Sequence, residues 1–315
     1  MLPVNHHIVN VNLRRRIRAF DAVAERQNTM HRPTPLIILV PIGGLRAERF
    51  DDLNAAAFEF MARACTSRPR SWADMLQQYD ATPPINVTPN GMVVPKRNTV
   101  LEYNLVVRAF ARVIEQLGIA DMIESWHVPL NVRFKSSEVS ALNMSRAHPT
   151  EQPHSDSWAG ESTESVTVHI PIEGDWRRNR LRMFHPDDEF DEEWLGPRPS
   201  YADGAEVLHH YEPVDCAVRL GQVALLDFAT LHASTREPGC GPRASIDTTF
   251  VLRKDGMAPK EHPWREGERA SHEVLMGVGE RWLMYFPDAH GERVEVGAGF
   301  KHPTRLVLVE LPRGG

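Results

Sequence analysis

Three residues of this chain carry side chains that could hold one divalent metal ion. His154 and Asp156 stand at i and i+2, just ahead of a stretch in which Val166, Val168 and Ile170 alternate with polar residues. Side chains at i and i+2 of an extended chain leave the same face, so an imidazole and a carboxylate there can reach one ion. The Ser, Asp and Gly around them also suit a surface turn, the plainer reading of the pair. His232 supplies a second imidazole, directly after the apolar run "GQVALLDF" and before a Ser/Thr turn, where a ligand at a strand end belongs. Two neutral imidazoles and one carboxylate on one side of a metal leave the other side open to reactants.

Arg243 and Ser245 extend the pattern. They too are at i and i+2, on "RASIDTTFVL", and share a face with Asp247 and Thr249, while Ala244, Ile246, Thr248 and Phe250 take the other. A planar guanidinium beside a hydroxyl is suited to clamp a carboxylate through two parallel hydrogen bonds.

With His154-Ser155-Asp156, the distant His232 and Arg243-Ala244-Ser245 in order, the stretch from Val128 to Arg253 resembles the Fe(II)/2-oxoglutarate-dependent dioxygenases. Within that family it looks nearest to the phytanoyl-hydroxylase-like small-molecule oxygenases. The resemblance implies a double-stranded β-helix (a cupin-like jelly roll) in a mainly β chain with flanking helices. It implies Fe(II) on His154, Asp156 and His232 as the catalytic centre, and 2-oxoglutarate on the metal with its distal carboxylate against Arg243 and Ser245. O2 would be the second cosubstrate, and succinate and CO2 the co-products of oxidising a small molecule. Hydroxylation, desaturation, ring closure and epimerisation all begin with the same hydrogen abstraction. Three other readings share the barrel: a cupin-like isomerase or hydrolase, a halogenase, and a non-catalytic binding protein. The cupin pattern His-x-His is absent, and a halogenase needs a small residue where Asp156 stands.

The elements that must position these residues follow from periodicity. Leu13, Ile17, Phe20 and Val23 predict one helix, "DDLNAAAFEFMARAC" a second with Asp51 and Asp52 as N-terminal cap, and "NTVLEYNLVVRAFARVIEQLG" a third, capped by Asn98 and carrying Leu101, Leu105, Phe110, Val113, Ile114 and Leu117 on its apolar face. "PLIILVPIGGL" reads as a buried strand. From Val128 the period becomes two, with Asn131, Arg133 and Lys135 facing away from Val132 and Phe134; it returns through Phe250 and, less clearly, in "RWLMYF" and "RLVLVEL". Helices first and strands later predict an antiparallel β core flanked by helices. The expected organisation is one compact domain: a mostly helical region 1–126, a catalytic core 127–255 with an insertion 173–213, and an extension 256–315. The insertion, with "RRNRLR", then "DDEFDEE", and several prolines, reads as a solvated loop, or alternatively as a lid over the site.

The chain of 315 residues, 42% hydrophobic and 25% charged, has an ordinary globular composition. A net charge of −6 and the lack of a long apolar run argue against nucleic acid and membrane as partners. Cys65, Cys216 and Cys240 are odd in number and widely spaced, which fits a reducing cytoplasm; the first twenty residues do not read as a signal peptide. Asn131, Arg133 and Trp158 are the candidate contacts to a small, polar metabolite such as an amino acid, sugar or secondary metabolite. His169 is expected to be a hydrogen-bonded barrel residue, His209 and His210 to lack metal partners, and Cys240 to be an ordinary loop thiol. The oligomeric state is not legible.

Overall fold

A computed structural model describes residues 10–43, 45–84, 86–139, 141–253, 269–286 and 306–311. In chain order the elements are α1 (Val11–Glu25), β1 (His31–Thr34), β2 (Ile37–Pro41), α2 (Leu45–Ala64), α3 (Trp72–Ala81), α4 (Val100–Gln116), β3 (Ile123–His127), β4 (Asn131–Lys135), α5 (Ala141–Met144), β5 (Ser165–Gly174), β6 (Asn179–Pro186), β7 (Tyr211–Pro213), β8 (Gln222–Asp227), β9 (Leu231–Arg236), β10 (Arg243–Leu252), β11 (Arg269–Ala270), α6 (His272–Gly277), β12 (Trp282–Tyr285) and β13 (Val307–Glu310). A large antiparallel sheet runs β1-β2-β8-β5-β10-β3-β11, with β4 also on β10, and a small one runs β7-β6-β9. From β5 onward the chain alternates between them: β5 in the large sheet, β6 and β7 in the small, β8 in the large, β9 in the small, β10 in the large. This is the winding of a jelly-roll double-stranded β-helix, in which two antiparallel sheets face each other.

Period two decides what each face of the large sheet meets. Val132 and Phe134 of β4, Val166, Val168, Ile170 and Ile172 of β5, Val223 and Leu225 of β8, and Ala244, Ile246 and Phe250 of β10 join buried residues of α2 and α4 in one core. The opposite face turns toward the small sheet. On β2 and β8 it is apolar, with Ile37, Leu39, Ala224 and Leu226 against Leu181 and Met183 of β6. On β4, β5 and β10 it is polar: Arg133, Lys135, Thr167, His169, Arg243 and Asp247 line a cavity between the sheets, closed on the other side by His232 and Ser234 of β9.

Several local expectations are corrected. α2 starts at Leu45, so Asp51 and Asp52 lie within the helix; Phe50, one residue before them, already packs against the core. Asn98 lies inside a 3-10 turn, Arg97–Thr99, and α4 begins at Val100. Its buried face centres on Tyr103, Val106, Val107, Phe110 and Ile114, which leaves Leu101 and Leu105 exposed. The region 1–126 does more than cover the barrel, because β2 pairs with β8 and β3 with β10. Ile37 to Val40 are buried without a break, as suits a strand covered on both faces.

The segment 173–213 is not a loop inserted into the barrel. Its "RRNRLR" block runs into β6, which pairs with β9 from Asn179 to Phe184; Leu181 and Met183 point inward while Arg180 and Arg182 stay exposed, so the charges are one face of a strand. The remainder, 187–210, buries Phe190, Leu195, Tyr201 and Val207. Of the extension 256–315, β12 and β13 pair with each other as a separate two-stranded ribbon. Gly44, near the end of the predicted strand "PLIILVPIGGL", lies outside the described residues. Among those residues no helix is long and apolar enough to cross a membrane.

α1 is fastened to this frame through Arg16. Its buried side chain pairs with Asp227 at the end of β8 (3.0 Å) and with Glu192 in the 187–210 segment (2.6 Å), and donates to the Thr163 carbonyl (2.9 Å). Removing one partner of a buried pair strands the other charge, at about 3 to 5 kcal/mol. Arg16→Ala is therefore expected to lower the unfolding free energy by about that amount, read by urea denaturation, and Asp227→Asn in the same background should cost less than it does alone.

Candidate metal and anion site

The site begins with a pair of main-chain hydrogen bonds. The His154 amide donates to the His232 carbonyl (3.0 Å) and the His232 amide to the His154 carbonyl (2.9 Å), so the two residues face each other as one antiparallel bridge. Their rings then lie 4.4 Å apart. Asp156 reaches them differently from the expected strand geometry. The chain leaves the bridge after His154 and enters a 3-10 turn, Asp156–Ala159, because the Ser155 hydroxyl accepts from the Ser157 amide and donates to the Phe228 carbonyl (2.9 Å). That turn swings the carboxylate beneath both imidazoles: Oδ1 is 3.6 Å from His154 Nε2, and Oδ2 is 3.8 Å from His232 Nε2.

These separations are too long for hydrogen bonds. They suit three donors arranged around one ion, since ligand nitrogens and oxygens sit about 2.0 to 2.2 Å from a divalent metal such as zinc. All three donor atoms lie within 4.8 Å of one another. His154 Nδ1 lies 2.7 Å from the Gln152 carbonyl, an acceptor, which places the proton on Nδ1 and the lone pair on Nε2. That Nε2 is buried and has no hydrogen-bond partner among the described residues, which leaves its lone pair available to a cation. Thr167 donates to Asp156 Oδ2 at 3.4 Å.

The electrostatics agree. Burial opposes ionisation of Asp156, but the imidazoles of His232 and His154 and the more distant Arg133 outweigh it and hold the carboxyl below the usual carboxylate range. Burial, with His154 alongside, pulls His232 down to about 4, so at neutral pH it is a neutral imidazole. An ionised carboxylate and a neutral imidazole are the protonation states a metal needs.

Arg243 stands on the inner face of β10. It is 1% exposed, donates to Asn179 Oδ1 (3.2 Å) and Ser245 Oγ (3.4 Å), and lies over the Trp176 ring with its central carbon 4.1 Å from the centroid. Both hydrogen-bond partners are neutral, and no ion pair among the described residues includes it. Burial, then the charge of Arg236, pulls the guanidinium down to about 9. A buried cation in this state favours an anionic ligand. The other buried charges of the site are paired: Arg133 with Asp247 (2.8 Å), and Lys135 and Arg236 with Glu151 (3.4 and 3.0 Å).

That pairing decides the fate of the residues expected at a substrate. Arg133 donates through Nε and Nη2 to Asp247, and Asn131 donates to the same carboxylate (3.0 Å); the register sets Asn131 opposite Asp247 and Arg133 opposite Ser245. Both are therefore bound into the barrel wall. Trp158 is not among the residues lining the cavity. Its indole donates to the Trp194 carbonyl (2.7 Å) and presses on Gly204, where a Cβ would meet the ring at 2.1 Å. His169 lines the cavity, and its Nε2 has no hydrogen-bond partner among the described residues, where a hydrogen-bonded ring was expected. Cys240 is buried and donates to the Ser137 carbonyl, and His210 does have carboxylate neighbours, Asp187 (2.9 Å) and Glu189 (3.6 Å), supplied from the far end of the 187–210 segment.

Tyr201, Gln152, Asn179 and Trp176 went unnoticed in the sequence. Tyr201 stacks on the His154 ring at 4.0 Å and 14°. Asn179 had a signal, as the one uncharged polar residue of "RRNRLR"; the others act through backbone contacts or from distant turns, which no local pattern announces.

No family model and no curated protein matches the chain. Among solved structures it is similar to the non-haem α-ketoglutarate-dependent epimerase SnoN from nogalamycin biosynthesis (17% identity, 79% of this chain and 94% of that one, TM-score 0.41). It is also similar to AviO1 from Streptomyces viridochromogenes Tue57 (15%, 76% and 96%, 0.42) and to EctD from S. alaskensis (16%, 84% and 85%, 0.36).

Two outcomes follow from the geometry. His154→Ala, Asp156→Ala and His232→Ala should each weaken Mn(II) or Co(II) binding by about a hundredfold or more, since outer-sphere partners alone account for about ten- to a hundredfold; competition with a chelating dye measures this. The second concerns pH. Burial lowers His169 to about 3, with Arg243 adding to the effect, and lowers His232 and His272 to about 4. Between an unfolded value of about 6.5 and these folded ones the unfolded chain binds more protons, so stability falls as pH drops through that window and is unaffected above it. Urea midpoints of the metal-free protein between pH 7.5 and 4 should decline accordingly; a flat profile would refute neutral burial of these rings.

Proposed function

We propose that the chain is an Fe(II)- and 2-oxoglutarate-dependent dioxygenase that hydroxylates, or otherwise oxidises, a small polar metabolite, with a place in secondary metabolism. The observation that carries this reading is the pairing, in one barrel, of a metal-ready His154–Asp156–His232 set with a buried arginine that has no acidic partner among the described residues. When bound, the ferrous ion and 2-oxoglutarate supply oxidising equivalents from O2, with succinate and CO2 as co-products.

The chain's own residues then have separate tasks. His154, Asp156 and His232 hold the metal, with Gln152 fixing the tautomer of His154 and Thr167 steadying the carboxylate of Asp156. Arg243 receives the distal carboxylate of 2-oxoglutarate, assisted by Ser245, while Asn179 and Trp176 fix the plane of the guanidinium. Arg133 and Asp247 neutralise each other and form a rigid wall. Leu181 adds an apolar patch to the cavity that Arg243 and His232 also line. The unpaired cysteines Cys65, Cys216 and Cys240 suit a reducing compartment, and we assign the protein to the cytoplasm.

The test is turnover. With Fe(II), O2 and 2-oxoglutarate the protein should release succinate, faster when the right member of a metabolite panel is added; no succinate under any condition would favour an isomerase, a hydrolase or a binding protein. A charge-assisted hydrogen bond contributes about 1.5 to 3 kcal/mol. Arg243→Ala should therefore raise the apparent 2-oxoglutarate constant by about ten- to a hundredfold while leaving metal affinity intact. Arg243→Lys should recover only part, because an ammonium cannot reproduce the planar fork, and Ser245→Ala should show a smaller loss.

A further inference from the structure

The cavity between the two sheets has one polar wall residue that neither metal nor guanidinium explains. His169 lies on the inner face of β5 and is 5% exposed, and its Nε2 is buried with no hydrogen-bond partner among the described residues. Buried polar groups of native proteins are nearly always bonded, and one left open toward a cavity needs a ligand or water to complete it. Burial and the neighbouring Arg243 keep the ring neutral. It therefore offers one N–H donor and one acceptor nitrogen.

The position of the ring narrows what it meets. Along β5 the inner face runs from Thr167, which touches Asp156, through His169 and Pro171 to Gly174, which pairs with Arg243; across the sheet His169 stands opposite Asp247. His169 thus stands on the strand between the residue that meets Asp156 and the one that pairs with Arg243, and it lines the same cavity as Asp156 and Arg243. Trp176 holds the arrangement, since its indole meets the His169 ring edge-on at 5.4 Å and also carries the Arg243 guanidinium.

We propose that His169 is a cosubstrate-binding residue, its N–H donating a hydrogen bond to the carboxylate that a keto diacid places at the metal end of the cavity. This rests on the functional reading above and adds a third anchor to it, between the metal and Arg243. A donor that carries no charge holds the carboxylate without competing with the metal for it. The acceptor nitrogen is left for a bound water or a substrate hydroxyl.

The experiment is 2-oxoglutarate binding to Mn(II)-loaded protein without O2, by calorimetry. His169→Phe keeps a ring against Trp176 and removes the N–H; it should weaken 2-oxoglutarate by about ten- to a hundredfold with Mn(II) affinity and thermal midpoint unchanged. His169→Gln, which restores an N–H on a flexible side chain, should recover part of the loss and provides the comparison if the phenylalanine variant does not fold. Wild-type affinity for 2-oxoglutarate in folded His169→Phe, or in His169→Leu in place of it, overturns the inference and leaves the functional reading standing. A wild-type protein that binds Mn(II) and does not bind 2-oxoglutarate overturns the functional reading, and this inference with it.

Discussion

The two hydrogen bonds exchanged by His154 and His232 are the constraint on which the site depends. Residues that exchange both bonds across an antiparallel pair have Cα atoms about 5.5 Å apart, and their side chains leave the same face. Two imidazoles far apart in sequence are thereby brought together by backbone geometry alone, before any metal contributes. A further main-chain bond ties the two segments nearby, from the Ser234 amide to the Thr150 carbonyl (2.8 Å). Asp156 then inherits its place, since the turn that carries it starts from the end of this bridge. A slip of one residue would send His232 to the opposite face and dissolve the set.

The same logic explains the inversion of the large sheet. Its outer face is apolar because helices cover it, and its inner face is polar on the three strands nearest the site, although most of that face is also buried. Buried charges are destabilising unless paired, and the barrel pairs them almost throughout, as Arg133 with Asp247 and Lys135 and Arg236 with Glu151. Arg243 and His169 depart from this: among the described residues one is a cation with neutral partners and the other an imidazole whose Nε2 has none. Both lie against Trp176. Departures from local consistency gather where a fold gives up stability for binding, and these two stand side by side.

Much of this was legible in the sequence, for a physical reason. Ligands on or beside strands announce themselves through period two, so His154, His232, Arg243 and Ser245 could be marked by spacing, and the switch from helical to alternating apolar residues marked the class of fold. The pairing of Asn131 and Arg133 with Asp247 was not legible, because alternation says which residues share a face and not which neighbour lies across the sheet. Asp156 was placed by the right rule for the wrong element, a 3-10 turn in place of a strand. The segment 173–213 misled because charge was read without phase. Arg180 and Arg182 alternate with Leu181 and Met183, and within the acidic block Phe190 turns inward while Glu192 pairs with Arg16.

That last reassignment bears on how the site is covered. A segment that opens easily has few buried apolar contacts and a backbone bonded mainly to water. The 187–210 segment has the opposite character. Lifting it would expose Phe190, Leu195, Tyr201 and Val207, break the bond from Trp158 to the Trp194 carbonyl, free the Tyr201 amide from the Ala147 carbonyl and strand Arg16. It would also remove the Tyr201 ring stacked on His154 and so free that imidazole to turn. The close approach of Gly204 to Trp158 points the same way, since contact at that distance exists to fix a packing. The segment is therefore packed as a fixed wall on that side of the barrel, with Tyr201 holding the orientation of the His154 ring.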